Sequence, residues 1–347
     1  MAAPDRTSVP DAAATEPARP PKVVVVDAAG TFGAAGGRDI LAQVGCQIVT
    51  LASSDDEEVL EEARDADALI GHNRVSRQFL AALTRCKIIA RGGIGMNGFE
   101  DLDFATERGI IVTNVPDVFV DEVANHTIAL LLACVRWLVP AAQHVREGGW
   151  GGGDRGMIHR LTGNTLGLLG FGNIARGVAQ RMAGFALREI IAYDPYVDPA
   201  VFAGRGVRSV PMAQVFQDAD FISCHVPLLP NTHHLIGTPE FGLVKANAIF
   251  INTSRGPVVD EAALITALQD GRLLAAGLDV TEQAPLPLES PLREMPNVVI
   301  TPHIASVSDW ANLERRRRSA LEVAAVLTGH RPRGVVNQEV LSKLNLK

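Results

Sequence analysis

Cysteine is scarce in this chain, and the cysteines that occur form no Cys-x-x-Cys pair. All four lie within apolar stretches, at Cys46, Cys86, Cys134 and Cys224. This distribution excludes a disulfide-stapled fold. It indicates buried free thiols, as expected for a protein of the reducing cytoplasm.

Long basic runs and long apolar runs are also missing. The net charge is −7 and the only basic run is Arg315–Arg318, so nucleic acid is not an expected partner. That run lies in a helical pattern, which predicts a solvated helix face or internal partners for acidic side chains. The most apolar helical pattern, Thr127–Val139, is too short to span a membrane and is interrupted by Arg136, so no membrane partner is expected.

The first 21 residues are rich in alanine and proline and contain no apolar core segment, which predicts a disordered tail rather than a signal peptide. The 347-residue chain is long enough for two domains with separate cores. Apolar stretches then alternate with helical patterns, beginning at Lys22–Asp27 and continuing to Ile110–Thr113. A second such series runs from Leu166 to Thr301. The fold class predicted is therefore α/β, with two doubly wound parallel sheets.

The clearest motif lies between Leu166 and Asp194. An apolar strand leads into Gly170-Phe171-Gly172-Asn173-Ile174-Ala175, a helical pattern follows, and a second apolar strand ends at Asp194. This is the dinucleotide-binding fingerprint of Rossmann domains. Its glycines permit a tight turn and close approach of a pyrophosphate, which the helix N-terminus attracts. Asp194 stands where a carboxylate accepts hydrogen bonds from the ribose hydroxyls and repels a 2′-phosphate. The predicted cofactor is therefore NAD rather than NADP.

Two polar side chains follow later strands of the same predicted sheet. Arg255 follows Ala248–Asn252, and His303 follows Val298–Thr301. Ligands bind beyond the carboxyl ends of parallel strands, so both should lie near the nucleotide. Histidine suits proton transfer near neutral pH, and the planar guanidinium suits a carboxylate and an adjacent carbonyl. Glu122 and His126 are four residues apart in a helical pattern. This spacing predicts that their two side chains pair with each other on one helix, and no metal site is expected.

Three motifs then resemble the D-isomer-specific 2-hydroxyacid dehydrogenases. They are Asn252–Asp260, Gly277–Val280 and Thr301–Ala305, and the glycine turn, Tyr193-Asp194-Pro195 and Asn114-Val115-Pro116 fit the same family. The resemblance covers Lys22 to about Asn337. Around Asn114–Glu122 it is nearest to the phosphoglycerate-dehydrogenase-like and C-terminal-binding-protein-like branches.

The resemblance implies a substrate domain of residues 22–117 plus 310–347, with an NAD-binding Rossmann domain at 118–309 inserted into it. It implies a homodimer through the nucleotide domain. Arg255 would bind the substrate carboxylate and carbonyl, and His303 would shuttle the proton. Expected substrate contacts are Gly93, Ile94, Gly95, His72, Asn73 and Arg255. Expected cofactor contacts are Gly170, Phe171, Gly172, Asn173, Ile174, Asp194, Pro227, Thr232, Thr253, Ser254, Arg255, Asp279 and His303.

The chain departs from the family pattern at Ala284, where the family has a catalytic glutamate that stabilises the imidazolium. Glu282 is the tentative substitute because residues 282 and 284 of an extended segment share a side. Glu289 or an unsupported His303 are the alternatives. The loop Gly95–Asp101 differs as well, with Asn97 in place of the usual aspartate. The usual substrates of the family are therefore not assumed.

The expected activity is an NAD-dependent interconversion of a D-2-hydroxyacid and its 2-ketoacid. Ala284 keeps open a different class, an NAD(H)-binding sensor or interaction protein of the same fold with little turnover. Enzymes acting on formate or phosphite share the architecture and form a third alternative.

Overall fold

A computed structural model describes residues 19–72, 74–96, 98–151 and 158–347. The predicted tail at 1–21 lies largely outside these ranges. The chain forms two compact units: one comprises the residues up to Val115 together with Leu313–Lys347, and the other is Pro116–Asn312. The second unit is thus inserted in the sequence of the first.

The first unit contains a parallel sheet of five strands in the order β2-β1-β3-β4-β5. Its elements are β1 (Lys22–Val26), α1 (Gly37–Gln43), β2 (Gln47–Leu51), α2 (Asp56–Ala63), β3 (Ala68–Ile70), α3 (Arg77–Ala82), β4 (Ile88–Ala90), α4 (Leu102–Glu107) and β5 (Ile111–Thr113). Successive valines of β1 enter two different cores, one on each face of the sheet. Burial on both faces explains why these strands are almost wholly apolar.

The second unit contains a parallel sheet of seven strands in the order β12-β11-β10-β9-β6-β7-β8. Its elements are α5 (Val120–Val135), α6 (Leu138–Arg146), β6 (Thr165–Leu169), α7 (Asn173–Met182), β7 (Glu189–Tyr193), α8 (Pro199–Ala203), β8 (Arg208–Ser209), α9 (Met212–Asp218), β9 (Phe221–Cys224), α10 (Thr238–Phe241), β10 (Ala248–Asn252), α11 (Glu261–Gln269), β11 (Leu273–Leu278) and β12 (Val298–Ile300). A last helix, α12, spans Asp309–Leu327. The predicted fold class is confirmed.

The pattern from Asp121 to Trp137 predicts a single long helix, and α5 confirms it to within two residues at its end. Helix α5 stops at Val135, and Trp137 adopts a left-handed backbone with a φ of 54° before α6 begins. Among the described residues no single helix is long and apolar enough to cross a membrane, although the bent pair α5 and α6 reaches that length together.

The basic run on α12 finds acidic partners within the first unit. The buried Arg316 lies 3.1 Å from the Asp27 carboxylate and donates to the carbonyl of Val26 at 3.0 Å. Arg317 pairs with Glu314 on the surface of the helix. Both sequence interpretations of the run are confirmed, since Arg316 has an internal acidic partner and Arg317 lies on the solvated helix face. All four cysteines are free, Cys134 and Cys224 being buried and the other two partly exposed.

Helix α5 packs unusually close to strand β11 at Gly277. A Cβ placed there would stand 2.8 Å from Ile251 Cδ1 and 3.0 Å from Leu130 Cβ. Gly277→Ala is therefore expected to push α5 from the sheet and to lower the free energy of unfolding by about 1–3 kcal/mol. Urea denaturation measures this. Gly184→Ala, which meets no heavy atom within 4 Å, is the matched control. Equal stability of the two variants would contradict the packing.

Candidate active site

The glycine turn joins β6 to α7 in the second unit. Gly170 has a φ of 84°, and a Cβ there would lie 3.0 Å from the carbonyl oxygen of His225, so the position requires glycine. A Cβ on Gly172 would meet nothing within 4 Å. That open space lies at the N-terminus of α7, which starts at Asn173. The turn therefore leaves room for a pyrophosphate at the positive end of the helix.

Asp194 directly follows β7 and lies beside this turn. One of its carboxylate oxygens accepts the backbone N–H of Phe171 at 2.8 Å, and the other accepts that of Tyr196 at 3.0 Å. The two bonds fix the carboxylate against the glycine turn. Its position fits hydrogen bonding to a ribose attached to a pyrophosphate at the turn.

A buried carboxylate, Asp279, organises the loop that carries His303. The side chain of Asp279 is 1% exposed. It accepts hydrogen bonds from the Thr301 hydroxyl at 2.6 Å and from the backbone N–H groups of Ile304 and Ala305, each at 2.9 Å. The carbonyl of Asp279 accepts the N–H of His303 at 2.9 Å. These bonds hold His303 in a left-handed backbone conformation, with a φ of 56°.

Helix α5 supports the same loop from its other side. The Thr301 hydroxyl gives its proton to Asp279, so His126 Nε2 must donate to that hydroxyl, 2.9 Å away. Glu122, one turn earlier, accepts the Ser308 hydroxyl at 2.9 Å. Glu122 and His126 therefore bind the His303 loop, and the expectation that they pair with each other is wrong.

Arg255 lies in the turn after β10, which α5 also contacts. Thr127 Oγ1 donates to the carbonyl of Val123, so the Thr253 hydroxyl donates to Thr127 across 2.8 Å. The Ser254 hydroxyl donates to the Asn252 side chain at 2.8 Å, and Arg255 Nη1 donates to the carbonyl of Ser254 at 2.6 Å.

Partial burial lowers the pKa of Arg255 from its ordinary value. The guanidinium is thus partly shielded from water, which strengthens its attraction for an anion.

The imidazole of His303 is influenced by two opposite charges. Desolvation by surrounding atoms lowers its pKa most, the positive charge of Arg255 lowers the pKa further, and the negative charge of Asp279 opposes both. Arg255, Asp279 and His303 follow the three neighbouring parallel strands β10, β11 and β12, so they lie at the same carboxyl edge of the sheet. This is the grouping that the strand ends of the sequence predict.

Glu282 has other partners. Its Oε1 is hydrogen-bonded to His234 Nε2 at 2.7 Å, and its Oε2 accepts the backbone N–H of Glu261 at 3.2 Å. Ala284 and Glu289 are exposed. The carboxylate whose charge acts on His303 is that of Asp279. The tentative catalytic role of Glu282 stays a prediction, and these contacts give it no support.

The remaining predicted contacts are distributed over both units. In the second unit the Thr232 hydroxyl donates to the carbonyl of Pro227 at 2.6 Å and so closes the loop after β9. In the first unit Gly93, Ile94 and Gly95 follow β4. His72 follows β3, is 1% exposed and stacks on Phe79 with ring centroids 5.0 Å apart, and its contact with the substrate stays a prediction. Asn73 and Asn97 lie outside the described residues.

The sequence is similar to a family of known enzymes. The family model described as D-isomer specific 2-hydroxyacid dehydrogenase, NAD binding domain, matches residues 128–305. The chain is 38% identical over 288 residues to a glyoxylate reductase of Korarchaeum cryptofilum, covering 82% of this chain and 86% of the relative. It is 38% identical over 315 residues to a D-3-phosphoglycerate dehydrogenase of Methanocaldococcus jannaschii, covering 88% of this chain and 59% of that longer relative.

A solved structure shows the same fold. The crystal structure of a glyoxylate reductase from Paecilomyes thermophila superposes with a TM-score of 0.83 at 26% identity, over 91% of this chain and 98% of the other. The match to the NAD-binding model spans the glycine turn, Asp194, Arg255, Asp279 and His303. NAD is the cofactor, and the chain belongs to the D-isomer-specific 2-hydroxyacid dehydrogenase family.

Proposed function

We propose that the protein interconverts a D-2-hydroxyacid and its 2-ketoacid, with His303 as acid and base and Arg255 as the binder of the carboxylate and carbonyl. The observation that carries the proposal is the position of Arg255, Asp279 and His303 at the ends of three neighbouring strands, in the sheet whose glycine turn suits a dinucleotide. A cation, a titratable imidazole and a nucleotide at one sheet edge are the parts that hydride transfer to a ketoacid needs.

NAD, when bound, supplies or accepts the hydride at the carbon of the reacting carbonyl. In the reducing direction the imidazolium of His303 donates a proton to the ketone oxygen. The guanidinium of Arg255 holds the substrate carboxylate and stabilises the negative charge that develops on that oxygen. In the oxidising direction neutral His303 accepts the hydroxyl proton, and its lowered pKa favours the neutral form.

Asp279 acts on this chemistry through His303. Its hydrogen bonds to Thr301, Ile304 and Ala305 fix the loop, and its charge raises the pKa of the imidazole against the effect of burial. We assign it the positioning role, since its carboxylate oxygens are already engaged by these donors. Contacts of Gly93, Ile94 and Gly95 with the substrate, and of Pro227, Thr232, Thr253 and Ser254 with the cofactor, are part of the same proposal.

A second function is favoured by one observation, the lack of a free carboxylate at positions 282–284. Ala284 has no acid, and Glu282 is bonded to His234 and Glu261. An NAD(H)-binding sensor with little turnover would tolerate this arrangement. It predicts tight NADH binding without oxidation of NADH by any 2-ketoacid.

Two further properties belong to the proposal. Helix α6 presents Leu138, Val139 and Val145 with 59%, 50% and 50% of their surface exposed, which supports a homodimer through the second unit. Four free cysteines support a reducing cytoplasmic location. Two relatives are named for glyoxylate and D-3-phosphoglycerate, so compounds of these two classes are the first to assay.

His303→Asn is expected to lower turnover by at least about 100-fold, because the variant loses the general acid and base. Asparagine tolerates the left-handed backbone found at this position, so the loop should keep its shape. Steady-state rates with NADH and a 2-ketoacid measure the loss, and fluorescence titration checks that NADH affinity stays within about threefold of the parent. Turnover near that of the parent protein would remove His303 from the mechanism.

Ketoacid reduction requires protonated His303, so its rate should fall as the pH rises through a pKa that partial desolvation and the charge of Arg255 set below the usual value. Ala284→Glu adds the carboxylate that the family pattern has there, and it should move this limit upward by about 1 pH unit. The pH profile of kcat/KM measures the shift. Ala284→Gln is the uncharged control, and an equal shift with glutamine would show that charge is not the cause.

A further inference from the structure

Three metal-ligating side chains meet outside the proposed catalytic cluster. His233 and His234 lie in the loop after β9, and Glu282 lies in the loop after β11. One ligand atom from each of the three lies within 4.8 Å of the others. The sequence separates Glu282 from the two histidines by about fifty residues, so no local motif reveals the cluster.

The cluster is held in place by surrounding bonds. His234 Nε2 and Glu282 Oε1 are 2.7 Å apart. Glu282 is braced from behind, because its Oε2 accepts the N–H of Glu261 and its own N–H donates to the Glu261 carboxylate at 2.9 Å. His234 donates its backbone N–H to the carbonyl of Pro257 at 2.8 Å. Hydrogen bonds of this kind orient the side chains that bind metals.

The backbone of His234 and the side chain of His233 are not explained by the His234–Glu282 ion pair alone. His234 adopts a left-handed conformation with a φ of 50°, a strain that is concentrated at ligand sites. The pair with Glu282 needs only one histidine, yet the ring of His233 lies 4.0 Å from that of His234, centroid to centroid. Two imidazoles are thereby presented to one carboxylate.

The donor set selects the class of ion. Two imidazole nitrogens and one carboxylate oxygen suit Zn²⁺ and neighbouring transition cations, whereas Mg²⁺ and Ca²⁺ prefer oxygen ligands alone. Tetrahedral bonds of about 2.0–2.2 Å to Zn²⁺ place the ligand atoms roughly 3.3–3.6 Å apart. His234 Nε2 and Glu282 Oε1, now 2.7 Å apart, must therefore separate slightly to admit the ion, while a ligand atom of His233 lies within 4.8 Å of both. The side chains of His234 and Glu282 are 38% and 34% exposed, so the ion can reach them from solvent.

We propose that His233, His234 and Glu282 form a binding site for one divalent transition cation of the Zn²⁺ type. The ion replaces the proton shared by His234 and Glu282, and water completes its coordination. It links the loop after β9 to the loop after β11. The metal-binding proposal is tested independently of the catalytic one, because metal binding is measured without substrate.

The test is a calorimetric titration of Zn²⁺ into the untagged full-length protein after treatment with a chelator. One ion per chain should bind, and excess Mg²⁺ should not displace it. His233→Gln, His234→Asn and Glu282→Gln should each weaken Zn²⁺ binding by at least about tenfold, since loss of a single outer-shell partner already costs 10–100-fold. His330→Gln, at an exposed histidine of the first unit, is the matched control and should bind as the parent does.

Thermal melting separates loss of the site from loss of the fold. Without metal the three variants should melt close to the parent protein, because the replaced side chains are partly exposed. Saturating Zn²⁺ should raise the melting temperature of the parent and of His330→Gln but not that of the three variants. Undetectable binding by the parent, or equal binding by the parent and the three variants, would overturn the proposal.

Discussion

The proposed catalytic arrangement depends on one buried carboxylate, that of Asp279. Burying a charge is costly unless several donors surround it, and here the Thr301 hydroxyl and two backbone N–H groups do so. Those donors belong to the loop that carries His303, so satisfying the carboxylate also folds the loop. The same negative charge opposes the effects of burial and of Arg255 on the imidazole pKa.

Helix α5 extends this constraint to the rest of the sheet edge. Its side chains bond to Thr301 through His126, to Ser308 through Glu122 and to Thr253 through Thr127. The turns after β10 and β12 are therefore both hydrogen-bonded to helix α5. Gly277 allows this helix to pack close to the sheet. Arg255 and His303 come from turns nearly fifty residues apart in sequence, and the helix gives both a common support.

Strand alternation and the glycine turn predicted the two parallel sheets, and the rule about strand ends predicted that Arg255 and His303 follow strands of one sheet. The role of His126 was not predicted, because its bond partner lies 175 positions away. The turn at Trp137 between α5 and α6 was not predicted, because the apolar pattern Thr127–Val139 continues through it. Short, partly polar elements such as β8 also carried no signal. Local sequence patterns predict helices, strands and their ends. Hydrogen bonds between turns that are distant in sequence are seen only in the folded structure.

Glu282 illustrates the same limit. Glu282 was the tentative partner of His303 because it lies on the same side of an extended segment as Ala284. In the structure, the loop after β9 brings His234 to the Glu282 carboxylate instead. That contact removes support from one hypothesis and creates the metal-binding cluster. The proposed proton transfer therefore depends on His303, with Asp279 as its positioning residue.

The most direct test of the central claim is the chirality of the product. NADH would be supplied with a panel of 2-ketoacids, and the 2-hydroxyacids formed would be separated by chiral chromatography. The account predicts that NADH oxidation yields the D-enantiomer of at least one acid. An L-enantiomer product, or no oxidation of NADH by any ketoacid despite tight NADH binding, would contradict it.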